Sequence, residues 1–206
     1  MIKSRSRRRT NDPVGLRNRV LDAAAQAFQS SGYGATSVHH LIRATGVSGG
    51  ALHHHFPSKK SLALAVIDER VAAEVAATWI ERVTAAPTAA QGIVAVFDSV
   101  VAALEEQGSV GGCPLGNLAA ELALRDDEIR TSLADRYDDW RQAITAKVEQ
   151  DRSVGQADYA GGDAAGFANV VIALFTGALT IGKADQSTAA LRAATRQLTR
   201  WTAADL

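Results

Sequence analysis

An all-α fold is what this sequence predicts, on three observations. The chain is rich in alanine and leucine within its 47% hydrophobic content. Aromatic residues are few and runs of Val, Ile and Thr are short, a balance that favours helix over sheet. Apolar residues recur at helical spacing between capping residues and helix stops, giving about nine helices.

Asp12 followed by Pro13 reads as N-cap and N1 of a first helix, whose apolar face runs Leu16, Val20, Ala23, Ala24, Ala27 and Phe28 before "SSGYG" stops it. Ser37 caps a short second helix with Val38, Leu41 and Ile42 inward, closed by Gly46. Ser48 caps a third, "GGALHHHF", of only two turns. Pro57 and Ser58 break it and begin a long helix from about Lys59 to Thr84. Beyond Pro87 the pattern predicts Thr88–Glu106, Pro114–Leu124, Asp127–Gln150, Asp163–Lys183 and Ser187–Ala203. The run "AAGFANVVIALFTGALTIG" is apolar around most of its circumference, so it must be covered on all sides, and a second copy of the chain is a natural cover.

The zero net charge conceals a split. Residues 1–60 hold ten Lys/Arg against two Asp/Glu, and the remainder holds twelve against twenty. A basic front and an acidic back suggest a nucleic-acid-facing part joined to a part with another task. Residues 1–11, "MIKSRSRRRTN", lack apolar periodicity and read as a disordered basic arm. The expected domains are that arm, residues 12–60, and residues 61–206.

A single cysteine, Cys113, excludes an internal disulfide and suits a reducing cytoplasm. The N-terminus has no secretory apolar region, and the most apolar stretch, Val170 to Ile181, is too short to span a bilayer. A soluble cytoplasmic protein without a membrane partner is expected. No nucleophile–base pair, metal-ligand spacing or phosphate loop marks an enzyme, and no cofactor is implied.

Two short helices joined by "ATGVS" make a helix-turn-helix signature, whose second helix can enter the major groove. The longer stretch "GYGATSVHHLIRATGVSGGALHHHFPSKKSLALAVI" resembles the DNA-binding domain of the TetR family of bacterial transcriptional regulators. The resemblance implies a three-helix DNA-binding domain, a helical ligand-sensing domain beyond the fourth helix, and dimerisation through the last two helices. It also implies a pseudo-palindromic double-stranded operator and a small-molecule or electrophile effector.

All five histidines lie between His39 and His55. Successive side chains on a helix point about 100° apart, so His53, His54 and His55 cannot chelate one metal. Leu52 and Phe56 hold the core face, His55 lies nearest to it as a hydrogen-bonded structural residue, and His53 and His54 face DNA. His53 stands where the family usually has a phosphate-contacting Tyr, and an imidazole N–H can replace that hydroxyl. Gly49 and Gly50 let the helix approach the duplex, which shifts base reading to Ser48, His53, His54 and Arg43. Lys59 resembles the family's phosphate-contacting lysine. Thr36 and Ser37 sit at a helix N-terminus, itself a phosphate site. Arg5, Arg7, Arg8 and Arg9 of the arm suit the minor groove. A metal sensor built on His39 and His40 is an alternative.

In "GSVGGCPLGNLAAEL", Pro114 at N1 makes Cys113 the N-cap of the sixth helix, where the helix dipole lowers a thiol pKa. This segment resembles a NemR-like branch of the family that detects electrophiles through one cysteine, with a lysine near the end of the eighth helix. Lys183 is the matching residue here. A thiol-independent sensor of apolar ligands is the other reading, with Trp79, Phe97, Asn117, Glu121, Trp140 and Phe175 as candidate lining residues.

Overall fold

The computed structural model describes residues 12–156 and 163–203, which form nine helices and no strand. They are α1 (Pro13–Ser31), α2 (Val38–Thr45), α3 (Gly49–His55), α4 (59–85), α5 (Ala89–Gln107), α6 (Pro114–Leu122), α7 (Asp127–Ser153), α8 (Ala164–Asp185) and α9 (Ala189–Ala203). The arm expected over residues 1–11 lies outside the described residues, and with it Arg5, Arg7, Arg8 and Arg9.

Capping chemistry sets most of the starts. Asp12 Oδ1 accepts from the Gly15 N–H at 2.9 Å, Ser37 Oγ from His40 at 3.1 Å and Ser48 Oγ from Ala51 at 3.2 Å. Ser58 and Ser61 cap α4 reciprocally. Each such cap is worth about 1 kcal/mol. Gly46 and Gly108 end α2 and α5 in the left-handed region, at φ 67° and 71°.

The fourth helix departs from a plain α-helix. It widens into π-helical turns at Ile67–Val71 and Ala76–Ile80. Ile67, Val71, Val75, Trp79 and Val83 are all buried at strict four-residue spacing. An α-helix of 3.6 residues per turn would carry such a row off the core face. Wider turns raise the local repeat and hold the row in place.

Around α4 the helices form two packed groups. In the first, α1 lies against α2, α3 and α4, with Val20, Leu21, Phe28, Leu41, Leu52 and Phe56 buried between them. In the second, α7 packs on α6 and α8, and α9 packs on α5 and α8. Trp79, Phe97, Trp140 and Phe175 meet at its centre with ring centroids 4.8 to 5.8 Å apart.

One expectation is corrected here. The apolar stretch was judged too short for a bilayer, but α8 runs 22 residues with a mean hydropathy of 1.9 over its most apolar window. By length and composition it could cross a membrane. Its inward residues, including Ala168, Val171, Phe175 and Leu179, are buried within the helical bundle.

Candidate DNA-recognition face and effector cavity

α2 and α3 present a short, mostly polar face. Ser37, Arg43, Ser48, Gly49, Gly50, His53 and His54 are all exposed on it. Leu52 and Phe56 are buried beneath, which fixes the side of α3 that remains outside. A Cβ placed on Gly50 would meet nothing within 4 Å, and one on Gly49 would meet only Ile42 Cδ1 at 3.6 Å. The fold itself therefore does not require glycine at either position. Lys59 lies beside this face with its ammonium 4.2 Å from the Tyr33 ring centroid and 3.4 Å from the Gly34 carbonyl oxygen. Burial there lowers its pKa.

Two expectations on this face are corrected. Thr36 is buried at 3% exposure, and its hydroxyl donates to the Gly32 carbonyl at 2.8 Å. Its side chain seals the turn before α2, so Ser37 alone is presented. His55 was expected to be hydrogen-bonded. It makes ring contacts with His54 and Phe56 instead, and no hydrogen bond of its ring is found among the described residues. Among those residues, no group of three or more His, Cys, Asp or Glu side chains that could hold a metal is found.

Behind the recognition face, a cavity of about 290 Å³ opens between α4, α5, α6, α7 and α8. Trp79, Trp140, Phe175 and Leu179 give it an apolar lining, and Glu74, Arg82 and Cys113 give it polar edges. Phe97 stands behind that lining, packed edge-on against Trp79 and Phe175. The Nε1 groups of Trp79 and Trp140 are buried and have no acceptor among the described residues. Each such orphan donor costs about 1–3 kcal/mol.

α6 joins this cavity to the DNA-binding part. Cys113, Pro114 and Leu115 at its start wall the cavity. Further along, Asn117 Nδ2 donates to Gln29 Oε1 of α1 and to the Gly111 carbonyl, both at 2.9 Å. Glu121 accepts from the backbone N–H groups of Tyr33 at 2.8 Å and Gly34 at 2.6 Å. A Cβ on Gly34 would lie 2.9 Å from Glu121 Oε1, and Gly32 sits at φ 85° close to Oε2. The glycines of "SSGYG" thus stop α1 and also admit a carboxylate from α6.

Comparison with known proteins gives this geometry its context. Residues 20–66 match the model for bacterial regulatory proteins of the tetR family. Residues 89–197, more than half of the chain, match the LmrA/YxaF-like transcriptional regulator C-terminal domain. The chain belongs to the TetR family. As a member it is a DNA-binding transcriptional regulator and not an enzyme. It is 28% identical to the HTH-type transcriptional regulator LmrA of Bacillus subtilis over 135 residues, covering 65% of this chain and 71% of LmrA. A TetR regulator from Chloroflexus aurantiacus superposes with a TM-score of 0.81 at 28% identity, over 94% of this chain and 98% of that one. Reduced NemR of E. coli superposes with a TM-score of 0.82, over 90% of this chain and 96% of NemR. At 19% identity that likeness shows the fold alone.

The TetR framework sharpens three corrections in the sensing half. Cys113 is the N-cap of α6 as expected, with Pro114 at N1. Its thiol pKa is nevertheless raised, not lowered. Burial pushes it up to about 11 and outweighs the amides of Leu115 and Gly116. Lys183 does not offset that, because its ammonium donates to Asn117 Oδ1 at 3.3 Å. The ionisable groups coupled to the thiol are Glu74 and Tyr137, acids that oppose a thiolate. Finally, Asn117 and Glu121 do not line the cavity; both are spent on the link to α1 and its following turn.

Proposed function

We propose that the protein is a homodimeric repressor that holds a pseudo-palindromic operator and leaves it when a small molecule occupies the aromatic cavity. Residues 1–11 serve as a basic arm, 12–60 as the DNA-binding domain, and 61–206 as the sensing and dimerisation domain, in a cytoplasmic protein. Ser37, Arg43, Ser48, His53, His54 and Lys59 contact DNA, Gly49 and Gly50 permit close approach, and Arg7 and Arg8 reach the minor groove. The name of another TetR regulator, the HTH-type transcriptional repressor AcnR of Corynebacterium efficiens, is consistent with repression; it is 42% identical over 60 residues.

One observation carries the reading: α6 has both ends engaged. Its first turn walls the cavity, while Glu121 and Asn117 grip α1 and the turn before α2. A ligand that displaces the first turn therefore moves the DNA-binding domain. A bias of about 1.4 kcal/mol between two positions of that domain changes operator affinity tenfold. Non-covalent occupancy is favoured over thiol chemistry because Cys113 is buried and its pKa is raised.

Dimerisation has its own support. Val170, Ala173, Gly177 and Ile181 are exposed and lie on one stripe of α8 at three- and four-residue spacing. A Cβ on Gly177 would meet nothing within 4 Å, so a second helix can come close there. A partner copy covers this stripe.

The test selects bound fragments from genomic DNA, then titrates a fragment complex with a panel of small molecules by fluorescence anisotropy. Selective binding at nanomolar protein, reversed by a compound that quenches the buried tryptophans, is the expected result. Loss of DNA without any tryptophan signal would place the effector elsewhere.

A further inference from the structure

The aromatic cavity does not stand alone. A second cavity of about 340 Å³ lies between α1 and the sensing half, with Gln26, Phe28 and Gln29 of α1 on one side. Val71, Glu74, Leu104, Gly112 and Pro114 belong to the walls of both. Glu74 is the charged group at that shared wall. It is accessible to solvent there, yet the surrounding protein raises its carboxyl pKa by desolvation.

No cation among the described residues pairs with Glu74. Arg70 lines the second cavity, but its charge is already met by Asp22, to whose Oδ1 it donates at 2.7 Å, and it also donates to Asn18 Oδ1 at 2.9 Å. Arg82, on the inner side, donates to Ser99 Oγ at 2.7 Å. The thiol of Cys113 supplies no positive charge. An acid between two cavities, one of them lined by aromatic rings, selects for charge of the opposite sign on an apolar body.

Resting on the small-molecule reading above, we propose that the effector is an amphipathic organic cation. Its aromatic body lies against Trp79, Trp140 and Phe175, and its amine or quaternary ammonium sits at Glu74. Arg82 makes the inner cavity unsuited to the positive charge, so the charge stays at the shared wall. There it faces Gln26 and Gln29 of α1, and Gln29 already donates to the Gly112 carbonyl at 2.8 Å. The ligand thus presses on the DNA-binding domain directly as well as through α6.

The test compares 4-phenylbutylamine, a cation at neutral pH, with neutral 4-phenylbutan-1-ol. Binding to the full-length protein is followed by tryptophan quenching and calorimetry. The amine should bind at least about tenfold more tightly than the alcohol, the scale expected for a charge meeting an unpaired opposite charge. Glu74→Gln should erase that preference and leave the alcohol's affinity in place. Glu74→Ala serves as the second variant, and thermal melts check that both fold. Equal binding of the two compounds, a preference that survives in both variants, or binding of neither overturns the cation assignment. The small-molecule reading still stands in those cases if a neutral compound releases the operator, and it falls too if no compound does.

Discussion

Glycine costs about 0.5–1 kcal/mol relative to alanine in a helix interior and less in a first turn, where Gly49 and Gly50 lie. At Gly50 nothing inside the chain returns that cost, since a Cβ there would point into open space. On the proposed reading the return comes from outside, from a duplex that approaches the bare backbone. Gly50→Ala should raise stability by at most about 0.5–1 kcal/mol in urea melts and weaken operator binding in anisotropy titrations. Undiminished binding would mean that the duplex stays clear of position 50. The triplet His53, His54 and His55 was legible from sequence because helical spacing alone separates its directions. Cys113 was legible as an N-cap but not as an acid. What decides its ionisation is burial, with the acids Glu74 of α4 and Tyr137 of α7 coupled to it, and one sequence does not show which acids fold near it. A thiol pKa of about 11 leaves about one thiolate in ten thousand at pH 7. Native Cys113 should therefore react with iodoacetamide at least about tenfold more slowly than a free thiol of pKa about 8.5, because the greater nucleophilicity of a more basic thiolate offsets only part of the lost ionisation. The rate should climb as pH rises toward 11. Cys113→Ser should keep its effector response, and a fast reaction at neutral pH would restore the electrophile sensor.

At the scale of elements, the proposed transmission runs through α6 and α4. Glu121→Ala removes two charge-assisted hydrogen bonds to the turn before α2, each worth about 1.5–3 kcal/mol at most where the carboxylate is partly shielded. The variant should bind effector as the wild type does, by tryptophan quenching, yet release less operator at saturation. Full release would move the coupling to α4. Another contact between the parts, Arg17 of α1 with Glu69 of α4, carries a pH dependence. Arg17 holds the Glu69 carboxyl below the usual carboxylate range. Its stabilisation is therefore present above the unfolded value of about 4.3 and is lost as pH falls through the folded one. Both side chains are about a third exposed, at 34% and 37%, so the pair is worth about 0.2–1 kcal/mol. Thermal melts of Glu69→Gln should lie below wild type at pH 7 and converge with it as pH falls through the depressed Glu69 pKa. Helix positions were legible because Asp12, Ser37, Ser48, Thr88 and Asp163 cap where capping chemistry demands. The widened turns of α4 were not read, although their signal is present in the four-residue row from Ile67 to Val83.

For the whole molecule, the charge split was legible and its distribution was not. Of the cations in residues 12–60, Arg17 is held by Glu69, and Lys60 by Asp126 and Glu128. On the proposed reading the arm, with Lys3 and four arginines, supplies much of the remaining charge to DNA. Deleting residues 1–9 should flatten the plot of log affinity against log salt by several units for a dimer, at about 0.9 per phosphate neutralised. An unchanged slope would remove the arm from the interface. The dimer itself was predicted from the apolar circumference of α8, but pattern alone could not separate the face turned to its own bundle from the face turned outward. Leu179 is buried within the chain, whereas Val170 and Ile181 are 49% and 54% exposed. Charges at the outward positions should separate the copies without unfolding either one. In sedimentation at micromolar concentration, Val170→Asp with Ile181→Asp should run as a monomer with an unchanged helical circular dichroism spectrum. Operator affinity should then fall by about 10² to 10⁴, because the second half-site no longer benefits from a tethered partner. A variant that remains dimeric would place the two-fold contact on another face, and the exposed stripe of α8 would need a different cover.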